Sequence, residues 1–434
     1  MRRAAFDHVI VGSGPAGAVL AARLSEDSGR RVLLLEAGGG DRRLIVRMPA
    51  AVPFAYMSAD LGWGYESGPE PHLGGRRIDE KRGRVLGGTS SINAMIFNRG
   101  NPRDFDGWAA LPGLAEWSFA HCLPYFRAME TFGGGADAWR GGDGPLRIAR
   151  APAAHPVYAA FLQAGVQAGH AVAADHNGAD QQGLHVAQAY IHRGLRQNAA
   201  EAYLRPAWRR ANLEVRLHAR ALRVVFSGKR AIGVDIESRG RRERLEAGEV
   251  ILAAGAFDSP KLLMLSGVGD GGALARLGIG VVIDNPAVGR HLENHPGVNI
   301  QYAAPLEGSV VERLGVVGRA RLGLEWLLFG TGLGASNFFE AGAFLKTRPD
   351  ARWPNMQFEF LPLVRHVENG RLKARPGFQF WMDLSRPESR GQVSLRSADP
   401  LAPPLIVFNH LAERADLDDL VDGVKLARRL LAQP

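Results

Sequence analysis

Three glycines and an acid near the start of the chain have the types and spacing that dinucleotide binding requires. They are Gly12, Gly14 and Gly17 in Gly12-Ser-Gly-Pro-Ala-Gly17, followed by Glu36. Gly12 lets a tight turn close, Gly14 lets backbone approach a pyrophosphate, and Gly17 lets a helix pack closely on a strand. A helix N-terminus at this turn offers free N–H groups and a positive dipole end to phosphate. Glu36 lies about 20 residues beyond the last glycine, where a carboxylate accepts hydrogen bonds from a ribose. The flanking elements give the spacing its meaning. The run Phe6-Asp-His-Val-Ile-Val11 reads as a buried strand, Ala16 to about Ser25 as a helix, and Arg31-Val-Leu-Leu-Leu-Glu36 as a second strand ending on the acid.

The rest of the composition bounds the function class. The chain has 434 residues, 46% hydrophobic and 22% charged, which suits one large core or two domains. No apolar run reaches the roughly 18–20 residues that span a bilayer. The opening Met-Arg-Arg-Ala-Ala-Phe carries charge without an apolar stretch, so no signal peptide is expected. One cysteine, Cys122, excludes an internal disulfide framework and a Cys-rich metal site; no metal is expected. The expected setting is cytoplasmic, at most peripheral to the inner membrane. A net charge of +9 raises the question of nucleic acid. The basic residues are spread along the chain, and the densest cluster, Arg239-Gly-Arg-Arg-Glu-Arg244, reads as a solvated hairpin end. No nucleic-acid partner is expected, whereas weak attraction to an anionic membrane surface is compatible with this charge.

Further along, Gly38-Gly-Gly40, Gly133-Gly-Gly135 and Gly141-Gly-Asp-Gly144 read as loops. Strands are expected at Leu213–Leu217, Ala221–Phe226, Ala231–Glu237 and Glu249–Gly255, with a hairpin turn at Ser227-Gly-Lys-Arg and a helix starting at Ser259 or Pro260. Met356–Phe360, Phe378–Met382 and Gln392–Arg396 alternate as strands of one sheet. A last helix is expected from about Asp416 to Leu431, with Leu417, Leu420, Val421, Val424 and Leu431 as its apolar stripe.

The segment Lys81-Arg-Gly-Arg-Val-Leu-Gly-Gly-Thr-Ser-Ser-Ile-Asn-Ala-Met-Ile96 is dense in small residues that leave backbone amides open to a ligand. By itself it reads as a Ser-rich loop capping a helix. Together with three other stretches it resembles the glucose–methanol–choline (GMC) oxidoreductases. The four are the fingerprint through Leu33-Leu-Leu-Glu-Ala-Gly38, Arg82 to Pro102 continuing through Asp104-Phe-Asp-Gly-Trp108, Ala254-Gly-Ala-Phe-Asp-Ser-Pro-Lys-Leu-Leu-Met-Leu-Ser-Gly-Val-Gly269, and Ser385 to Pro400. Arg196-Gln-Asn-Ala-Ala-Glu-Ala-Tyr-Leu-Arg205 is also similar, so the resemblance runs along essentially the whole chain.

The resemblance implies an α/β fold: a Rossmann-type FAD-binding domain and a second, substrate domain on an antiparallel sheet covered by helices. The implied division is 1–297, mainly FAD-binding with parts of the substrate domain inserted at about 110–190, and 298–434. It implies FAD held by Gly12, Ser13, Gly14, Ala16, Gly17, Glu36 and Ala37 at its ADP part, with Ala221 at the adenine and Val85, Gly88, Asn93, Ala94 and Met95 facing the isoalloxazine. Some members attach flavin through a histidine just before the Asn; here Ile92 stands there, so non-covalent FAD is expected. The family chemistry oxidises a primary alcohol to an aldehyde, with a histidine base taking the proton and flavin N5 the hydride. A quinone or similar electron acceptor is expected rather than oxygen. Glu340 matches a family acid near the substrate cavity, where it could attract a cationic alcohol such as choline.

The catalytic His-Pro-x-Gly-Thr-like segment of the family has no match, and roughly a hundred C-terminal residues of the family pattern lie beyond Pro434. No catalytic residue is therefore expected in this stretch, and the chain by itself is expected to be inactive. His291, His295 and His410 read as structural histidines. Two other readings stay open. One is a hydroxynitrile-lyase-like member of the same fold, and the other a non-catalytic nucleotide-binding or interaction module.

Overall fold

The computed structural model describes residues 5–306, 308–368 and 371–434. Two sheets organise it. The first has six strands, in the order Leu213–Arg216, Val32–Leu35, Phe6–Val11, Arg241–Leu252, Arg230–Ser238 and Ala219–Ser227. The first four run parallel, and the last three form an antiparallel meander. The long strand Arg241–Leu252 joins the halves: its residues from Ala247 pair with Phe6–Val11, and those before pair with Arg230–Ser238. Val32–Leu35 is buried on both faces, which is why it reads as an unbroken apolar run. Helix Pro15–Leu24 covers one face through Ala18, Ala21 and Ala22.

The second sheet is fully antiparallel, in the order Gly297–Ala303, Gly377–Leu384, Met356–Leu361, Ala341–Leu345 and Gly183–Val186. Helices Pro156–Gln167 and Arg414–Leu431 cover one of its faces. Alternate residues Phe358, Phe360, Phe380, Met382 and Leu384 meet Tyr158 and Phe161 from one helix and Leu420, Leu426 and Leu430 from the other. The architecture is thus α/β with a Rossmann-type sheet and a helix-covered antiparallel sheet. Among the described residues no helix is long and apolar enough to cross a membrane.

Three expectations need correction. Gln392–Arg396 does not join the second sheet. Gly391–Ser394 pairs with Arg290–Leu292 and Leu405–Val407 in a separate three-stranded sheet. The chain is diverted just before it: Pro387 has no N–H to donate, and the carboxylate of Asp416 takes the N–H groups of Glu388 and Ser389 at 2.7 and 2.9 Å. That bond also turns the last helix. Its buried side is Asp416, Leu420, Gly423, Leu426, Ala427 and Leu430, while Leu417 and Val421 are exposed. An apolar count misses this side because it contains an acid and a glycine; a Cβ on Gly423 would stand 2.6 Å from the Met356 side chain. Third, the helix expected from Ser259 or Pro260 runs from Gly255 to Leu265, with Pro260 inside it. Gly255, at φ +82°, makes the turn possible, and the Ser259 hydroxyl accepts the Ala254 N–H at 3.1 Å.

The second sheet's core yields a stability test. The Phe360 ring stacks on Phe161 at 4.7 Å and meets Phe380 edge-on at 5.2 Å. Phe360→Ala is expected to cost about 3–5 kcal/mol in urea unfolding; a loss under about 1 kcal/mol would show that this cluster is not the core of the sheet.

Candidate functional site

The fingerprint turn works as its spacing requires. Gly12 sits at φ +100°, and a Cβ there would stand 2.5 Å from the Ala253 carbonyl oxygen. A Cβ on Gly17 would stand 1.9 Å from the Gly12 oxygen, so that glycine sets the approach of helix to strand. Gly14 faces open space, leaving its backbone free to approach a ligand. Pro15 begins the helix, where a missing N–H costs nothing.

A cavity of about 520 Å³ opens in front of this turn. Gly12, Ser13, Gly14, Ala16, Glu36, Ala37, Gly88 and Ala221 all border it. Gly17 lies behind, at the helix–strand contact. Val85, Asn93, Ala94 and Met95 are not part of this wall. Glu36 is buried and collects three donors: the Ser13 hydroxyl at 2.5 Å, the Ser13 N–H at 3.2 Å and the Gly38 N–H at 2.8 Å. Burial pushes its carboxyl up from the ordinary value, and these donors oppose the shift.

Several bordering residues carry no obvious mark in the sequence. Trp63, Tyr65, Arg82, Arg220, Asp258 and Lys261 line the cavity as well. The Tyr65 hydroxyl donates to Asp258 at 2.5 Å, and Lys261 donates to the Pro400 carbonyl at 2.9 Å. Burial raises the Asp258 carboxyl and lowers the Lys261 ammonium. The available signal was the Ala254–Gly269 stretch, whose first residues form the floor beside the glycine turn.

The loop after the cavity is a 3₁₀ turn, Gly88–Ser91, and not a helix cap. Gly87 and Gly88 take positive φ, and a Cβ on Gly88 would meet the Gly14 Cα at 2.7 Å. Arg196 holds the loop from below. It is buried and donates to the carbonyls of Val46, Ser90 and Asn93 at 2.7, 3.1 and 2.6 Å. Burial lowers its pKa to about 10, so it stays cationic at neutral pH. The Asn93 side-chain oxygen accepts from the Tyr190 hydroxyl at 2.5 Å and from the Met95 N–H at 3.2 Å. Met95 itself sits at φ +62°.

The loop is tied at two places to segments that lead into the second sheet. Asn337 donates to the Ala94 carbonyl at 2.6 Å. Asn177 donates to the Phe97 carbonyl at 2.9 Å, and its neighbour His176 meets Asn98 at 3.0 Å. His176 stacks on His185 of the second sheet at 3.8 Å between ring centroids. Arg140, buried beside them, bonds Glu130 at 2.7 Å and Asp175 at 2.8 Å.

The remaining candidates are separate. Glu340 is buried, accepts from the Ser336 hydroxyl at 2.5 Å, and has a carboxyl raised by burial. It does not border the cavity. His410 is buried and stacks on Phe408 at 5.0 Å. His291, at φ +57°, and His295 are both exposed. Among the described residues none of these histidines lines the cavity, and no cluster of three or more His, Cys, Asp or Glu is placed to hold a metal.

The histidine stack predicts a pH response. Burial depresses His176 from the ordinary 6.5 to about 3, and His185 in the same direction. The folded state therefore keeps His176 neutral while the unfolded chain binds a proton below pH 6.5. Stability is full above pH 6.5 and is lost as pH falls towards 3, by about 1.4 kcal/mol per pH unit for His176. Urea midpoints of the parent and of His176→Asn between pH 7 and pH 5 check this. A shallower decline in the variant is expected, and parallel declines would contradict it.

Comparison with known proteins accords with this geometry. The GMC oxidoreductase N-terminal model matches residues 6–297, and the C-terminal model residues 387–434. The chain is 44% identical over 436 residues to the oxygen-dependent choline dehydrogenase of Pseudomonas putida GB-1, covering 99% of this chain and 77% of that protein. It is 42% identical to the protein of the same name from Staphylococcus epidermidis ATCC 12228, covering 100% and 77%. Pyridoxine 4-oxidase from Mesorbium loti superposes with a TM-score of 0.88 at 29% identity, over 99% of this chain and 81% of the other. An Aspergillus oryzae RIB40 formate oxidase variant superposes at 0.89 and 26% identity, over 98% and 81%. The chain belongs to the GMC oxidoreductase family and is an oxidoreductase of the kind that acts on CH–OH groups.

Proposed function

We propose that the protein is an FAD-dependent enzyme that oxidises a primary alcohol to its aldehyde and passes the electrons to a quinone or similar acceptor. The observation that carries the reading is the cavity before the glycine turn, with a buried carboxylate at its side and cations at its rim. That chemistry fits an ADP moiety. The Gly14 backbone and the N-terminus of helix Pro15–Leu24 take the diphosphate, with Arg82, Arg220 and Lys261 adding positive charge. Glu36 takes the ribose hydroxyls, and Ala37 and Ala221 flank the adenine. Gly88, at the border of that cavity, and Val85, Asn93, Ala94 and Met95 beyond it form a second wall, against the isoalloxazine. When bound, FAD supplies the hydride acceptor, N5.

The protein's own contribution is to hold that wall rigid. Arg196 fixes Ser90 and Asn93 from below, and Asn337, just before the strand Ala341–Leu345, fixes Ala94. A positioned reacting face lowers the entropic part of the barrier. The hydroxyl proton must leave in step with the hydride, a task worth about 10²–10⁴-fold in rate. We assign that base to none of the residues bordering the cavity. FAD is non-covalent in this reading, because Ile92 offers no nucleophile. Choline is the first alcohol to try, because the similar dehydrogenases bear its name.

The test uses the purified protein loaded with FAD. Acid precipitation is expected to leave the yellow colour in the supernatant. Anaerobic choline or another primary alcohol is expected to bleach the flavin, and a quinone analogue to restore it faster than dioxygen does. Failure of every alcohol to bleach the flavin would sink the oxidation, and faster reoxidation by dioxygen would sink the acceptor.

A further inference from the structure

Helix Val316–Phe329 stands on the surface with its apolar side outward. Val316, Val317, Leu324, Leu327, Leu328 and Phe329 are 57–82% exposed. All but Phe329 fall within about one third of the helix circumference at 3.6 residues per turn. The opposite side is anchored: Trp326 is buried, and its indole N–H donates to the Gly194 carbonyl at 2.7 Å. A second segment, 42–57, packs beside it and exposes Leu44, Phe54 and Met57. The two meet where Met48 and Trp326 both border Gly334, and where Ala50 packs with Val311, Leu314 and Leu333.

Charge says what this face fits. Segments 42–57 and 310–329 hold six arginines (Arg42, Arg43, Arg47, Arg313, Arg319 and Arg321) and two acids (Glu312 and Glu325), a balance of 6 − 2 = +4. All six arginines are exposed, and only Arg43 has an ion-pair partner among the described residues, Asp60 at 3.6 Å. An outward apolar stripe with an arginine fringe is the pattern of a helix that lies in a membrane interface. A second copy would fit poorly, because a two-fold contact would set the like-charged fringes against each other.

We propose that these two segments form a docking surface for an anionic phospholipid bilayer, with the apolar stripe at the acyl boundary and the arginines among the phosphates. The inference stands whether or not the alcohol and acceptor above are correct. It has one structural consequence: Arg196 bonds both Val46, the buried underside of segment 42–57, and Asn93, in the loop beside the cavity. A docked protein would therefore hold that loop close to the bilayer.

The test is flotation of the purified chain with vesicles of equal phosphatidylglycerol and phosphatidylcholine, and with phosphatidylcholine alone. Flotation distinguishes bound protein from aggregate, which sinks. The chain is expected to float with the anionic vesicles, less so in 0.5 M salt (about 0.5 M, a Debye length of roughly 4 Å), and weakly with phosphatidylcholine. Arg319→Gln with Arg321→Gln should weaken partition about 25-fold, near fivefold per charge. Leu324→Ser with Leu327→Ser and Leu328→Ser should abolish it, with the far-UV circular dichroism unchanged. Equal flotation of parent and variants, equal flotation with both lipids, or no flotation would overturn the proposal. So would a dimer in light scattering that the three serines convert to monomer.

Discussion

The Ser13 hydroxyl is the point on which the rest of the site depends. It donates to Glu36 and accepts from the Gly87 N–H at 3.2 Å, so one oxygen joins the glycine turn, the end of the second strand and the loop after the cavity. The turn and the strand end adjoin through the parallel ladder that closes at Val11 and Leu35, and the loop, distant in sequence, meets them at an isolated bridge between Gly39 and Val85. Their mutual position sets the cavity. Glycine supplies the room: side chains on Gly12, Gly17 or Gly88 would collide with backbone, so the approach that Ser13 locks is available to few other sequences. A buried carboxylate is costly unless donors surround it. The three donors at Glu36 supply that compensation, and they leave the group facing the cavity.

Buried arginines extend the same logic to the second sheet. Arg196 sits beneath the loop, and Arg140 sits among Glu130, Asp175 and Gln188 beside the histidine stack. A buried guanidinium presents several donors in a fixed fork, so each fixes several carbonyls or carboxylates at once. Breaking such a group by removing one partner costs more than the pair is worth. The loop is therefore held between two folded bodies, and its geometry is inherited from both.

Much of the first sheet was legible because its signals are local. The Phe6–Val11 and Val32–Leu35 strands, the helix after the glycines and the hairpin at Arg239-Gly240 follow from apolar runs and turn chemistry within a few residues of each other. The helix face at Leu417 and Val421 was not legible, because the Asp416 contact to Glu388 and Ser389 decides it from another part of the chain. The strand at Gln392 was read correctly as a strand and joined to the wrong sheet, since alternation says nothing about partners. At the site, the glycines and Glu36 announce themselves through spacing. Arg196, Tyr65 and Lys261 do not, because an arginine, a tyrosine or a lysine acquires its role from partners that only the fold brings near.

The central claim is that the glycine turn and Glu36 hold the ADP half of FAD. Its most direct measurement is the affinity of flavin-free protein for FAD and for FMN, in the parent and in Glu36→Gln. The account predicts that FAD binds far better than FMN, which has no ADP half. It also predicts that Glu36→Gln weakens FAD by about 1.5–3 kcal/mol while leaving the weak FMN binding as it was. Equal affinity for the two flavins, or an FAD affinity untouched by the substitution, would contradict it.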